Sequence, residues 1–138
     1  MKISEAVLRE IRLPLREPFA ISSGSRTERR ILLLTLAGEG VEGWGECVAA
    51  EDPGYSPETT ETAWHVLTEF LLPGLPGREI LGPDEVLAHA PFVRGHRMAK
   101  ASVEMAAWDL MARVVGVPLW ELLGASGRPV PVGVSIGL

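Results

Sequence analysis

A chain of 138 residues, 46% hydrophobic and 22% charged, is long enough for one domain with a real core and too apolar to be disordered. Its net charge of −5, with basic runs no longer than Arg26 to Arg30 and Arg94 to Arg97, argues against a nucleic-acid or membrane partner, because phosphate binding needs clustered cations. The longest purely aliphatic run, Ile31 to Leu34, falls far short of the ~20 residues that cross a bilayer, and the Met-Lys-Ile-Ser start lacks a signal-peptide apolar region, so a cytoplasmic protein is expected.

In chain order, Val7 to Leu15 alternates with period two. Val7, Ile11, Leu13 and Leu15 fall on one face and Leu8, Glu10, Arg12 and Pro14 on the other, which predicts a strand with the first set covered. Pro14 suits an edge position. Pro18 to Arg30, rich in Ser, Gly and charge, reads as a long turn. A second strand over Ile31 to Leu36, a hairpin connection at Ala37-Gly38-Glu39-Gly40 and a third strand over Glu42 to Val48 complete an antiparallel trio. Cys47, the single cysteine, cannot form an internal disulfide and reads as a small buried residue.

Ala50 to Thr60 is a loop with turn chemistry at Asp52-Pro53-Gly54. Ser56 serves as N-cap and Pro57 as first residue of a helix running to about Leu72, with Ala63, Val66, Leu67 and Phe70 inward. Pro73 to Gly77 breaks it, and Asp84 to Ala90 forms a short helix. A long helix then begins near His96 and continues to Gly116, with small residues among Val103, Met105, Trp108, Leu110 and Met111. It is apolar nearly all round, so it needs cover on most sides. Gly116 stops it, Pro118 opens a second short helix and Gly124 closes that one. Trp44 and Trp108 read as core. Val130 to Ile136 alternates as a strand, yet it has no following partner for its ladder groups, so the chain is expected to be a piece of a longer protein. Strands first and helices after give an α+β fold.

The titratable residues have bland readings of their own. Glu46 and Glu51 are expected to be solvated or salt-bridged acids. His65 and Glu69 share metal-site spacing without a third ligand, and His89 and His96 lack a partner motif.

The order of residues from Ala101 to Gly124, A-S-V-E-x-A-A-x-D-L-x-A-R-x-x-x-x-P-L-x-x-L-L-G, resembles the signature of the mandelate racemase and muconate lactonising branch of the enolase superfamily. L-x-E-P-F-x-x-S-x-G (Leu15 to Gly24), G-W-G-E-C (Gly43 to Cys47), P-G-Y-S-P-E-T (Pro53 to Thr59), G-H-R-M-A-K (Gly95 to Lys100) and P-V-G-V-S-I-G (Pro131 to Gly137) resemble the o-succinylbenzoate synthase and N-acylamino acid racemase group. The resemblance implies a capping domain over residues 1–124 and, in 125–138, the first strand of an otherwise absent (β/α)₇β barrel. It also implies a reaction in which a lysine takes the proton beside a carboxylate while Mg²⁺, held by three acidic residues, stabilises the enediolate. Those lysines and acids belong to later barrel strands. Lys2 and Lys100 are the only lysines here, so no catalytic or metal-binding residue is assigned and the chain alone is expected to be inactive.

What the resemblance leaves to this chain is substrate choice. Phe19 and Tyr55, on two loops over the barrel mouth, and Ser135, at the end of the first barrel strand, are its implied substrate-binding residues. The partner is a small-molecule carboxylate, and the assembly a homo-oligomer. A dipeptide epimerase, a cycloisomerase or a freestanding binding module are the alternatives.

Overall fold

The computed structural model describes residues 1–21 and 24–134. Three antiparallel strands, β1 (Ile3–Ile21), β2 (Gly24–Gly38) and β3 (Val41–Cys47), form a sheet in the order β1-β2-β3. β1 and β2 make a much longer hairpin than the sequence suggests. Phe19, Ala20 and Ile21 pair with Arg26, Ser25 and Gly24, after a register break between Pro14 and Phe19. Most of the expected turn over Pro18 to Arg30 is therefore strand. Pro14 and Pro18 remove ladder donors and break the register, but β1 lies at the sheet edge, where such breaks are tolerated and the hairpin resumes. The β2–β3 connection is a two-residue turn at Glu39 and Gly40, both with positive φ (51° and 81°), the geometry that matches the right-handed twist of a hairpin.

Cross-strand register decides which side faces in. Leu32, Leu34 and Leu36 are fully buried on β2, opposite Glu10, Leu8 and Ala6 on β1 and Cys47, Gly45 and Gly43 on β3. The inward face of β1 is thus that of Ala6 and Leu8, the reverse of the face read from the sequence, and Leu13 is 48% exposed. The reversal has a physical reason: a one-residue change of register swaps every side chain, and β1 carries apolar residues on both faces, so its own pattern does not choose. Trp44, between the inward Gly43 and Gly45, points outward and is 40% exposed, and Trp108 is half-buried, so neither belongs to the core.

One long helix, α2 (Arg97–Val115), covers the inner face with Ala99, Ser102, Val103, Ala106, Ala107 and Leu110. A Cβ placed on Gly43 would overlap the Ala106 carbonyl and the Leu110 amide, and one on Gly45 the Ser102 carbonyl. Helix backbone therefore rests directly on strand backbone, which is why small residues dominate this side of the helix. Met105, on the other side, is exposed, as are Val115 and Trp120 beyond it; the all-round cover expected for this helix does not come from the described residues. Gly116 (φ 79°) ends α2, Pro118 caps α3 (Leu119–Leu122), and Gly124 (φ 76°) follows it, as expected.

The first helix departs from expectation at both ends. Thr59 rather than Ser56 caps α1 (Thr60–Val66), in a reciprocal box with Thr62. α1 then widens into a π turn, Leu67–Leu71, closed by the Leu72 amide donating to the Leu67 carbonyl at 2.9 Å. Ala63, Val66 and Leu67 face the core, but the extra residue carries Leu71 inward and leaves Phe70 43% exposed. Pro83–Glu85 is a single 3₁₀ turn where a helix to Ala90 was expected. The expected strand over Val130 to Ile136 is not formed as far as Val134, and Val130, Val132 and Val134 are exposed; among the described residues nothing offers them a ladder. Ile136 lies outside the described residues.

Candidate functional site

The far end of the β1–β2 hairpin and the connection from β3 to α1 face each other across a cleft of about 1000 Å³. Phe19 lines it from the hairpin and Tyr55 from the connection, so residues 36 positions apart in sequence meet at one opening. Phe19 is not on a loop, as the resemblance implied, but on the last rungs of β1, paired with Arg26. The Arg29 guanidinium lies 5.9 Å from the centre of its ring, within cation–π range. Tyr55 follows the Asp52-Pro53-Gly54 turn, where Asp52 Oδ1 accepts from the Gly54 amide at 3.0 Å, and its ring is 94% exposed at the rim. Ser135, the third expected substrate contact, lies outside the described residues.

Charged groups tie the walls together. Arg26 Nη2 donates to Asp52 Oδ2 at 2.8 Å, joining hairpin to connection. Arg30 Nη2 donates to Glu10 Oε2 at 2.7 Å and to Glu61 of α1, while Arg12 pairs with Glu28 at 2.8 Å. The hydrogen bond from Arg30, with its positive charge, holds the Glu10 carboxyl below its ordinary value, and the two acids raise the guanidinium of Arg30 further. Glu46 and Glu51 line the cleft as exposed acids.

Met98, also in the cleft wall, begins α2, and its amide is held by an acid distant in sequence. Glu58, only 8% exposed, accepts from the Met98 amide at 2.9 and 3.1 Å and from the Ala99 amide at 3.1 Å. The N-cap residue itself, His96, sits in the left-handed region (φ 48°) and makes no side-chain cap bond, so Glu58 takes over its task. The sequence reading placed Glu58 in the first turn of its own helix; no local spacing reveals a cap 40 residues away. Asp52 as a turn former was legible, whereas its pairing with Arg26 was not.

The histidines have structural roles or none visible. His65 meets Phe70 edge-on at 5.6 Å. The ring of His89 lies between the carbonyls of Val86 (3.1 Å) and Leu71 (2.8 Å), over Gly74. Lys100 Nζ donates to the Val93 carbonyl at 2.5 Å. Burial raises the Cys47 thiol above its ordinary value. Among the described residues no three His, Cys, Asp or Glu side chains gather as a metal site.

Residues 3–124 match the family described as mandelate racemase / muconate lactonizing enzyme, N-terminal domain. The chain belongs to this family. All of it aligns with an o-succinylbenzoate synthase of Geobacillus kaustophilus at 42% identity and with an N-succinylamino acid racemase of Thermus thermophilus at 48%, in each case covering 37% of the relative. A crystal structure of an enolase-superfamily member from Listeria innocua superposes on the entire chain with a TM-score of 0.91 at 37% identity, over 38% of its own length. The chain thus spans little more than a third of the relatives it matches. The enolase-superfamily resemblance read from the sequence and the α+β fold class are both borne out by this family membership.

Proposed function

We propose that this chain is the substrate-selecting N-terminal part of a Mg²⁺-dependent enzyme that acts as an o-succinylbenzoate synthase, an N-succinylamino acid racemase, or both. One observation carries the reading: Phe19 and Tyr55, from separate segments, line a single cleft large enough for a drug-sized organic acid. The relatives named for these two activities are 42% and 48% identical over the full chain, which supports this group over the epimerase and cycloisomerase neighbours, matched at 26% and 28%.

In this reading the chain's residues bind and orient the part of the substrate remote from the reacting carbon. Phe19, fixed by Arg29, presents a flat apolar wall suited to a phenyl or acyl group. Tyr55 stands free at the rim and gains its contact only when a ligand arrives, so its contribution is to recognition. Proton abstraction and metal binding fall to residues beyond this chain. Mg²⁺ would polarise the substrate carboxylate there.

The test is to assay the whole enzyme that carries this domain against the o-succinylbenzoate precursor and against N-succinyl amino acids. Turnover of either, dependent on added Mg²⁺, is the expected result. Activity confined to dipeptides or to muconate would overturn the assignment.

A further inference from the structure

Phe19 stands on the β1–β2 hairpin and Tyr55 on the connection from β3 to α1, and at the cleft Asp52 joins the two walls. Asp52 uses both carboxylate oxygens: Oδ1 holds the Gly54 amide and so shapes the turn that delivers Tyr55, while Oδ2 takes the guanidinium of Arg26. Arg26 is directly opposite Phe19 in the β1–β2 ladder. A continuous path therefore runs from Phe19 through its ladder partner, across the ion pair, and through the Asx turn to Tyr55. All of these groups line the same cleft.

We propose that Arg26 and Asp52 form a clasp that sets the position of Tyr55 relative to Phe19, acting as positioning residues that fix the width of the opening rather than as substrate contacts. This rests on the reading of Phe19 and Tyr55 as the recognition surfaces, but the clasp itself is testable without turnover. The side chains of Arg26 and Asp52 are 43% and 63% exposed. Such a pair is weak and open to screening, since the Debye length shrinks from ~10 Å in 0.1 M salt to ~3 Å in 1 M. Weakness suits the role: a pair of this strength biases a loop between two positions without locking it, and leaves the opening free to admit a ligand. The other cleft arginine in an ion pair, Arg30, is only 15% exposed and tied to two acids on elements that do not carry Tyr55, so it braces the hairpin instead.

Tyr55 is the only tyrosine of the chain, so 3-fluorotyrosine labelling places one ¹⁹F reporter at the site in question. In 50 mM salt the Arg26→Gln and Asp52→Asn variants should share a resonance displaced from that of the unsubstituted chain. Asp52→Asn keeps an oxygen for Gly54, so a displacement there reports loss of the charge and not of the turn. In 1 M salt the unsubstituted chain should move at least halfway to the variants' position, while the variants move little. The double variant Arg26→Gln with Asp52→Asn keeps the oxygen for Gly54 and should share the resonance of either single variant, because the one ion pair is already broken in each.

In the whole enzyme, either single variant should raise KM about three- to tenfold with kcat changed less than twofold, and the double variant Arg26→Gln with Asp52→Asn should raise KM no further than either alone. An unsubstituted resonance that coincides with both variants, or that moves with salt no more than theirs, would overturn the clasp whatever the enzyme does. A salt-sensitive ¹⁹F signal in a protein that turns over neither substrate would instead leave the clasp standing and remove the assignment of function.

Discussion

Gly45 and Ser102 are in backbone contact: the strand residue has no room for a side chain because the carbonyl oxygen of the helix residue occupies the place its Cβ would take. This contact sets how closely α2 lies on the sheet. Gly45→Ala forces the helix off β3, and because the obstructing atom is backbone it cannot swing aside. The expected loss is about 1–3 kcal/mol, the usual cost of overpacking a filled core, measured by urea unfolding at neutral pH. Gly43→Ala should behave alike, since it meets Ala106 and Leu110 in the same manner.

Glu58→Ala removes the acceptor for two amides at the start of α2. Loss of a cap costs about 0.5–2 kcal/mol, and the near-complete burial of this carboxylate puts the expectation in the upper half of that range. Glu58→Gln retains an oxygen but not the charge that favours a helix N-terminus, so it should recover part of the loss. Equal stability of all three forms in thermal unfolding would refute the role.

The Glu10 carboxyl is held low by Arg30, so its contribution to stability has a definite sign with pH. A carboxyl depressed in the folded chain stabilises it above the unfolded-state value and ceases to do so as pH falls through the folded value. The stability difference between the unsubstituted chain and Glu10→Gln should therefore be largest near neutrality. It should narrow below pH 4.5, the unperturbed value, as the Glu10 carboxylate is protonated and its pairing with Arg30 is lost. Urea midpoints of both forms across that interval check it.

Tyr55→Ala should lower affinity in the whole enzyme while sparing chemistry. The exposed ring offers contact to a bound ligand, worth ~1–3 kcal/mol by analogy with apolar pocket contacts, and that contact is equal in the ground and transition states. KM should rise by about tenfold and exchange of the α-proton at saturation should persist. Unchanged KM for both substrate types, or abolished exchange, would contradict the assignment.

Cys47 is 1% exposed and its thiol is pushed up by burial, so a thiolate-specific reagent should find it unreactive in the folded chain and fully reactive in denaturant. Titration with and without urea reads the difference directly.

How much of this was legible beforehand depended on whether the deciding contact was local. The β2–β3 turn, the Gly116 stop, the Pro118 start and the burial of Cys47 each follow from residues beside them, and each was read correctly. The face of β1 was not, because it is chosen by Leu34 across the ladder and both faces of β1 offer apolar side chains. Trp44 was misread for a related reason: in G-W-G-E-C the bulky residue attracts attention, but the glycines face the helix. Phe19 and Tyr55 were singled out through resemblance, and their shared cleft needed the hairpin to extend past two prolines. Glu58 and the Arg26–Asp52 pair, joining segments 40 and 26 residues apart, leave no trace in spacing at all.

The π turn at Leu67–Leu71 places one residue more in its coil than an α-helix would. Each residue of an α-helix advances ~100° around the axis, so shortening this segment by one would return it to regular winding. Leu72 would then stand four residues after Leu67 in place of five, close to its present direction, so the winding itself takes up the change before the run into the buried Leu75. The surplus residue is thus confined to one coil: removing Glu69 or Phe70, both exposed, should disturb the fold less than replacing the fully buried Leu67 or Leu71 with a polar residue.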